Sequence, residues 1–286
     1  MGEDKMTIET ESQLIDQAKA GSREALEELV SSVQDRVYGL ALRMLHSTSE
    51  AEDATQEILI KVITKLDSYR CEGKFISWVL HIASNHIISF RRSRAERKGI
   101  TLDDAQRHMD RDYAGSWKES DAKGFQALVV EEARISCLHA LLITLDRGQR
   151  LALILGVVFG ISSSEGAYIL DITSAAFRKR LSRARQRIKA FMSANCGLIN
   201  SANHCHCARS INWRQKAGWM YKKGPVFATH PNHGLEGPAL DSYFEELNEM
   251  QRVSALFKAT PRYAAPFDFK DTVKEMISSG RYKVFA

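Results

Sequence analysis

The stretch SSSEGAYILDITSAAFRKRLSRARQRIKAFM, Ser162–Met192, decides the fold. A short segment opens on serines, which are good helix N-caps, and runs to Leu170. The turn Asp171-Ile172-Thr173 follows, and then a long segment dense in Arg and Lys. Short helix, tight turn and long basic helix is the grammar of a helix-turn-helix. At about 100° per residue, Phe177, Leu181, Ala184 and Ile188 fall on one stripe of the long helix and should be buried. That turns Arg178, Lys179, Ser182 and Arg183 outward, where a recognition helix meets base edges and phosphates. The competing reading is a solvated face of a helical bundle. The short helix and turn in front of it favour DNA.

Working outward, the chain has 286 residues, 44% of them hydrophobic and 26% charged, which suits two or three domains with real cores. It holds no apolar run of the roughly 20 residues that a membrane helix needs. The opening MGEDKMTIETESQ is acidic and polar, unlike a signal peptide, so a cytoplasmic protein is expected. The net charge of +5 hides an asymmetry. Acids dominate up to Glu57, whereas RRSRAERK (91–98) and RKRLSRARQRIK (178–189) are strongly basic. Two separate basic patches point to a polyanion, and an acidic end points to a different partner.

Helical periodicity is strong before the helix-turn-helix. One helix stops at Gly21, and a second restarts on Ser22 with Leu26, Leu29, Val30, Val33, Val37, Leu40, Ala41 and Met44 at helical spacing. A third carries STSEAEDATQEILIKVITKL, and a fourth carries ISWVLHIASNHIISFRRSR. Residues 99–128 lose the periodicity and are rich in Asp, Ser and Gly, as a linker is. The expected architecture is all-α: a helical domain over 10–95, a linker over 96–128, a helix-turn-helix domain over 129–193, and a mixed or helical extension over 194–286. Within that extension, LDSYFEELNEMQRVSALFKA and FDFKDTVKEMISSGRY read as amphipathic helices.

In the third helix Asp53, Gln56 and Glu57 stand at i, i+3 and i+4, hence on one face, with Ile58, Val62 and Leu66 behind them. An acidic, amide-bearing face repels phosphate and suits a basic protein partner; plain capping of the helix N-terminus is the simpler alternative. Around the fourth helix Tyr69, Phe75, Trp78 and Phe90 alternate with Arg70, Lys74, Asn85, Arg91, Arg92 and Arg94. Aromatics interleaved with cations can hold unpaired bases, although Trp78 reads better as core. No H-x-E or H-E-x-x-H motif occurs, which leaves a zinc deaminase or hydrolase without support.

Together DATQEILIKV, GKFISWVLHIASNHIISFRRSR and LDRGQRLALILGVVFGISSSEGAYILDITSAAFRKRLSRAR resemble, in that order, segments of the extracytoplasmic-function sigma factors of bacterial RNA polymerase. The resemblance covers about residues 12–192. It implies that Asp53, Gln56 and Glu57 bind core polymerase at the β′ clamp, with the β flap as a second contact. It further implies that the loop 68–74, with Arg70 and Lys74, joins Asn85 in capturing a flipped base of the −10 element. Arg91, Arg92 and Arg94 would hold DNA nearby, and Ser174, Arg178, Lys179, Ser182 and Arg183 would read the −35 element. Promoter DNA, core polymerase and an anti-sigma protein are the implied partners, with no membrane insertion and no catalysis. Two departures stand out. EGAYIL has Gly166 where Glu-Ile-Ala is usual, which should loosen the short helix. DRGQR has Asp146-Arg147 where a proline is common.

The last feature is CGLINSANHCHC, with Cys196, Cys205 and Cys207. Cys205 and Cys207 share a side only on extended backbone, where a Zn or Cu ion could take both, with Cys196 and a histidine completing the set. The C-x8-C-x-C spacing is not that of a zinc ribbon, so a redox thiol pair is the second reading. No cofactor is required by the rest of the chain. The rival to a sigma factor is a stand-alone helix-turn-helix regulator whose tail senses metal or redox state.

Overall fold

The computed structural model describes residues 8–70, 73–90, 94–97, 99, 101–112, 127–211, 220, 225–230, 247–266 and 271. Among the described residues it is all-α, as expected. The helices are α1 (Ile8–Lys19), α2 (Arg23–Leu45), α3 (Thr48–Thr64), α4 (Phe75–Ser89), α5 (Arg94–Arg97), α6 (Leu102–Asp112), α7 (Ala127–Ile143), α8 (Arg147–Leu153), α9 (Ser163–Ile169), α10 (Ser174–Asn195) and α11 (Glu249–Lys258). α8 runs into a π turn over Ile154–Val158.

Caps set the boundaries. Ser22, Ser47, Asp146, Ser162 and Thr173 each accept a hydrogen bond from the backbone N–H three residues on, at the starts of α2, α3, α8, α9 and α10. Asn248 and Gln251 form a reciprocal capping box on α11. Gly21 and Gly160 take positive φ where α1 and the π turn end.

α1–α4 pack around the stripe read from α2, whose eight apolar residues are all buried. α7–α10 form the helix-turn-helix unit, in which Phe177, Leu181, Ala184 and Ile188 of α10 are buried as expected. The two units do not stand apart, because their cores belong to one continuous hydrophobic cluster. Arg150 is the buried hub between them. Its guanidinium donates to the carbonyls of Leu142, Ile143 and Leu145 beside it, to Met44 O at the end of α2, and to Glu96.

Two expectations change. The stretch expected to be a featureless linker contains α6, which Thr101 and Asp104 cap mutually and which docks Ala105 and Met109 against Phe191 and Cys205. Leu102, packed on the main core, continues the same face, but this stripe is one apolar residue per turn in an otherwise polar helix, too narrow to stand out in the sequence. The tail past 194 is part of the main core. Phe227, Val253, Leu256, Phe257 and Tyr263 are buried in the same cluster as α2 and α10. Of its two expected helices, the first appears over Glu249–Lys258; the second, within 267–282, lies almost wholly outside the described residues.

Candidate nucleic-acid interface

α3 presents Asp53, Gln56 and Glu57 together on solvent, while Ile58, Val62 and Leu66 turn inward. Glu57 Oε2 lies 3.5 Å from His86 Nε2 of α4, and Lys61 Nζ donates to Nδ1 of the same ring at 2.5 Å. Burial, and then the Lys61 cation, hold the His86 pKa below its ordinary value; Glu57 opposes them. Capping alone does not account for the triplet, because the N-cap of α3 is Ser47.

Tyr69, which precedes α4, and Phe75 and Trp78 in its first turns are buried against one another with ring centroids 5.3–5.7 Å apart. These rings are core and not a platform for bases. Arg70 and Lys74 are exposed beside them. Asn85 is also exposed, and its amide donates to His81 Nε2 at 3.1 Å. The opposite ring nitrogen of His81 donates to Tyr168 O (3.3 Å) and Ile169 O (3.2 Å) at the end of α9. Ser77 Oγ donates to Glu165 Oε1 of α9 at 2.5 Å. The short helix of the helix-turn-helix therefore rests on the helix that carries Asn85. Arg91 and Arg92 lie outside the described residues; Arg94 opens α5, its side chain undescribed.

α10 exposes Arg178, Lys179, Ser182 and Arg183 along one face, with Ser174 half-buried in its first turn. Thr173 caps this end, so the free N–H groups and the positive end of the helix dipole sit beside those cations, a combination suited to phosphate. Gly166 does not loosen α9. A Cβ there would run into the Phe177 ring, so the glycine lets α9 and α10 close on each other. The second departure, Arg147, is also structural. Its guanidinium pairs with Glu96 (2.7 Å) and donates to Ile87 O, Ile88 O and Phe90 O, fastening α8 to the end of α4.

The cysteines are arranged differently from the spacing argument. Cys196 and Cys205 pair through an isolated parallel bridge, and Gly197 N donates to Cys205 O. Cys137 of α7 packs against the same core as Cys196, and after burial the Cys137 and Cys205 thiols add to the cost of ionising Cys196. Burial pushes the Cys196 thiol up to about 12, so it is protonated at neutral pH and is a poor ligand or nucleophile there. Among the described residues no three His, Cys, Asp or Glu side chains are disposed to hold a metal.

Sequence reasoning missed the tail's grip on both units. Glu132 of α7, buried, accepts from Phe227 N and Ala228 N, each at 2.8 Å. Tyr263 Oη is hydrogen-bonded to His139 Nε2 at 2.9 Å, and Ala265 N donates to Asp35 of α2 at 2.9 Å. The only signal was an unusual concentration of aromatics after Cys207, without a partner to match them to.

The sigma-70 region 2 family model matches residues 29–97, and the sigma-70 region 4 model matches 135–188. The RNA polymerase sigma-H factor of Pseudomonas aeruginosa is 27% identical over 64% of this chain and 94% of its own length. The ECF RNA polymerase sigma factor SigW of Bacillus subtilis is 26% identical over 61% and 92%. The ECF RNA polymerase sigma-E factor of Haemophilus influenzae is 28% identical over 63% and 94%. Among solved structures, CnrH in complex with the cytosolic domain of CnrY aligns with a TM-score of 0.46 at 21% identity, covering 64% of this chain and 97% of that one. No described helix is long and apolar enough to cross a membrane. With region 2 and region 4 matched in order and relatives of one kind aligned across both, the chain is an RNA polymerase sigma factor of the sigma-70 family, in its extracytoplasmic-function group.

Proposed function

We propose that the exposed α3 triplet Asp53, Gln56 and Glu57 docks on the β′ clamp of core polymerase, with the β flap as a second contact. Asn85, Arg70 and Lys74 hold the −10 element, joined by Arg91, Arg92 and Arg94. Ser174, Arg178, Lys179, Ser182 and Arg183 read the −35 element. The observation that carries this is the segregation of charge: one acidic face on α3 and one basic face on α10, each over a packed apolar stripe. The protein acts without catalysis, in the cytoplasm. It offsets the cost of unstacking bases by contacts to the extruded strand. Start-site-specific transcription with purified core tests it. The double substitution Asp53→Ala/Glu57→Ala should reduce core co-purification at least about tenfold, the loss expected when a few charge-assisted contacts disappear, with the helical content unchanged. Undiminished co-purification would defeat the assignment, and specific DNA binding without any response to core would favour the stand-alone regulator.

A second part of the reading concerns the tail. α9 rests on α4, and the segments around Phe227 and Tyr263 fasten to α2 and α7. We infer that the extension holds regions 2 and 4 against each other and so competes with promoter engagement. A separate anti-sigma protein would be a further partner. Coordination of Zn or Cu by Cys196, Cys205 and Cys207 would require this segment to rearrange. Stoichiometric metal in protein purified without chelator would support it.

A further inference from the structure

α4 packs along α3, and the side chain it sets behind the acidic triplet is His86. The ring is buried, with only 6% of the side chain exposed, and it rests against Phe90 with 5.4 Å between ring centroids. Two charged residues of α3 reach it. Glu57 and Lys61 stand four apart and so share a helix face. Each addresses one ring nitrogen: Lys61 Nζ lies 2.5 Å from Nδ1, and Glu57 Oε2 lies 3.5 Å from Nε2. The pair that this spacing favours, Glu57 with Lys61, is thus bridged by an imidazole from the neighbouring helix.

The chemistry of the three groups fixes the proton. An ammonium has donors only, so Nδ1 accepts and the ring hydrogen sits on Nε2. That buried N–H has no full hydrogen bond, and the carboxylate it faces is Glu57. Burial, and then the Lys61 cation, hold the His86 pKa below its ordinary value. The ring is therefore neutral at neutral pH, and it can accept at one nitrogen while it donates at the other. Glu57 itself keeps a side chain 56% exposed, so much of it stays open to a partner. A free glutamate on a helix surface turns about several bonds, and any partner that grips it must order them. A donor aimed at Oε2 from behind restricts that freedom beforehand.

We propose that His86 is a positioning residue for core polymerase binding: its Nε2–H orients the Glu57 carboxylate while its Nδ1 holds Lys61, so that the acidic face of α3 is set before the partner arrives. The inference rests on the docking of the α3 triplet on core polymerase, and it adds to that surface a buried residue of another helix.

Equilibrium binding of the full chain to purified core polymerase, read as a double-mutant cycle, tests it. His86→Leu fills the buried space without a polar atom, and circular dichroism checks that helical content is kept. It should weaken core binding about three- to tenfold, the cost of ordering a free glutamate on binding. In the Glu57→Ala background the same substitution should change the affinity by less than about twofold, because the group it acts through is gone. A merely structural role would lower binding by the same factor in both backgrounds. Lys61→Met releases Nδ1 from a half-buried position on α3 and should show the same dependence on Glu57, which keeps the test decisive if His86→Leu does not fold. Undiminished binding by folded His86→Leu or by Lys61→Met overturns the proposal, and so do equal losses in the two backgrounds. Undiminished binding by Glu57→Ala alone overturns the docking assignment with it.

Discussion

A methyl group at residue 166 would overlap the Phe177 ring, and this one contact reverses what Gly166 signals in the sequence. Read locally, a glycine in a helix costs roughly 0.5–1 kcal/mol of backbone freedom and weakens the element. Read with its neighbour across the turn, it permits the close approach of α9 and α10 on which the helix-turn-helix depends. Gly166→Ala should therefore destabilise the protein by about 1–3 kcal/mol despite the better helix propensity, seen as a lower urea midpoint. A rise in the midpoint would mean that propensity prevails over packing. Cys196 shows the same limit of local reading. The sequence marks it by its neighbours Cys205 and Cys207, but its burial depends on the fold, in which Cys137 of α7 packs against the same core. With its thiol pushed up to about 12, Cys196 should resist iodoacetamide at pH 8 in the native protein and react once urea unfolds it, as peptide mass spectrometry would record. Prompt native labelling would contradict that burial.

Elements that bury a wide apolar stripe were legible, and those held by a few contacts were not. α2, α3 and α10 each carry the stripe at helical spacing, so their buried and exposed faces follow from periodicity alone. The candidate residues on α3 and α10 were legible for the same reason, because outward positions are fixed once the inward ones are. α6 rests on Leu102, Ala105 and Met109, one residue per turn among Asp, Arg and Gln, a stripe too narrow to stand out. Nor does the junction between α4 and α8, which is polar. Arg147 donates to three carbonyls at the end of α4 and pairs with Glu96, and Arg150 shares that carboxylate. Hydrogen bonds to backbone carbonyls have no sequence signature, so Arg147 appeared only as a missing proline. Arg147→Ala should cost about 1–3 kcal/mol, because it takes the donor from three carbonyls at once and leaves the Glu96 carboxylate with Arg150 as its remaining guanidinium partner. Arg147→Lys should recover only part of the loss, since an ammonium cannot span Glu96 and the three carbonyls as the fork does. Full recovery by Lys would show that the charge alone is needed.

At the scale of the whole molecule, the tail joins two units that the sequence presents as separate, and the contact it makes is sensitive to protons. His46 and His139 lie together beneath Phe227, with ring centroids 5.6 and 4.6 Å from it, and Tyr263 closes over His139. Burial, and secondarily the Arg150 cation, lowers the His46 pKa to about 4. Burial, His46 and Arg43 put His139 well below its ordinary value. Both rings are thus neutral in the folded chain, whereas in the unfolded chain they take up protons as pH falls through about 6.5. The unfolded state then binds more protons than the native one, so stability is complete above that pH and declines as pH falls from about 6.5 toward 4. Glu132, raised chiefly by its burial, contributes with the opposite sign and offsets part of the decline. Comparing variants isolates the histidine share. His139→Gln keeps a polar partner for Tyr263 without a titrating ring, so its urea midpoint should drop less between pH 7.5 and 5 than that of the wild type. Equal drops in the two proteins would show that His139 does not carry the proton sensitivity. If the tail holds regions 2 and 4 together, protease cleavage within the tail should accelerate over the same pH window in the wild type and less in His139→Gln, because the docked segment is released by the same protonation.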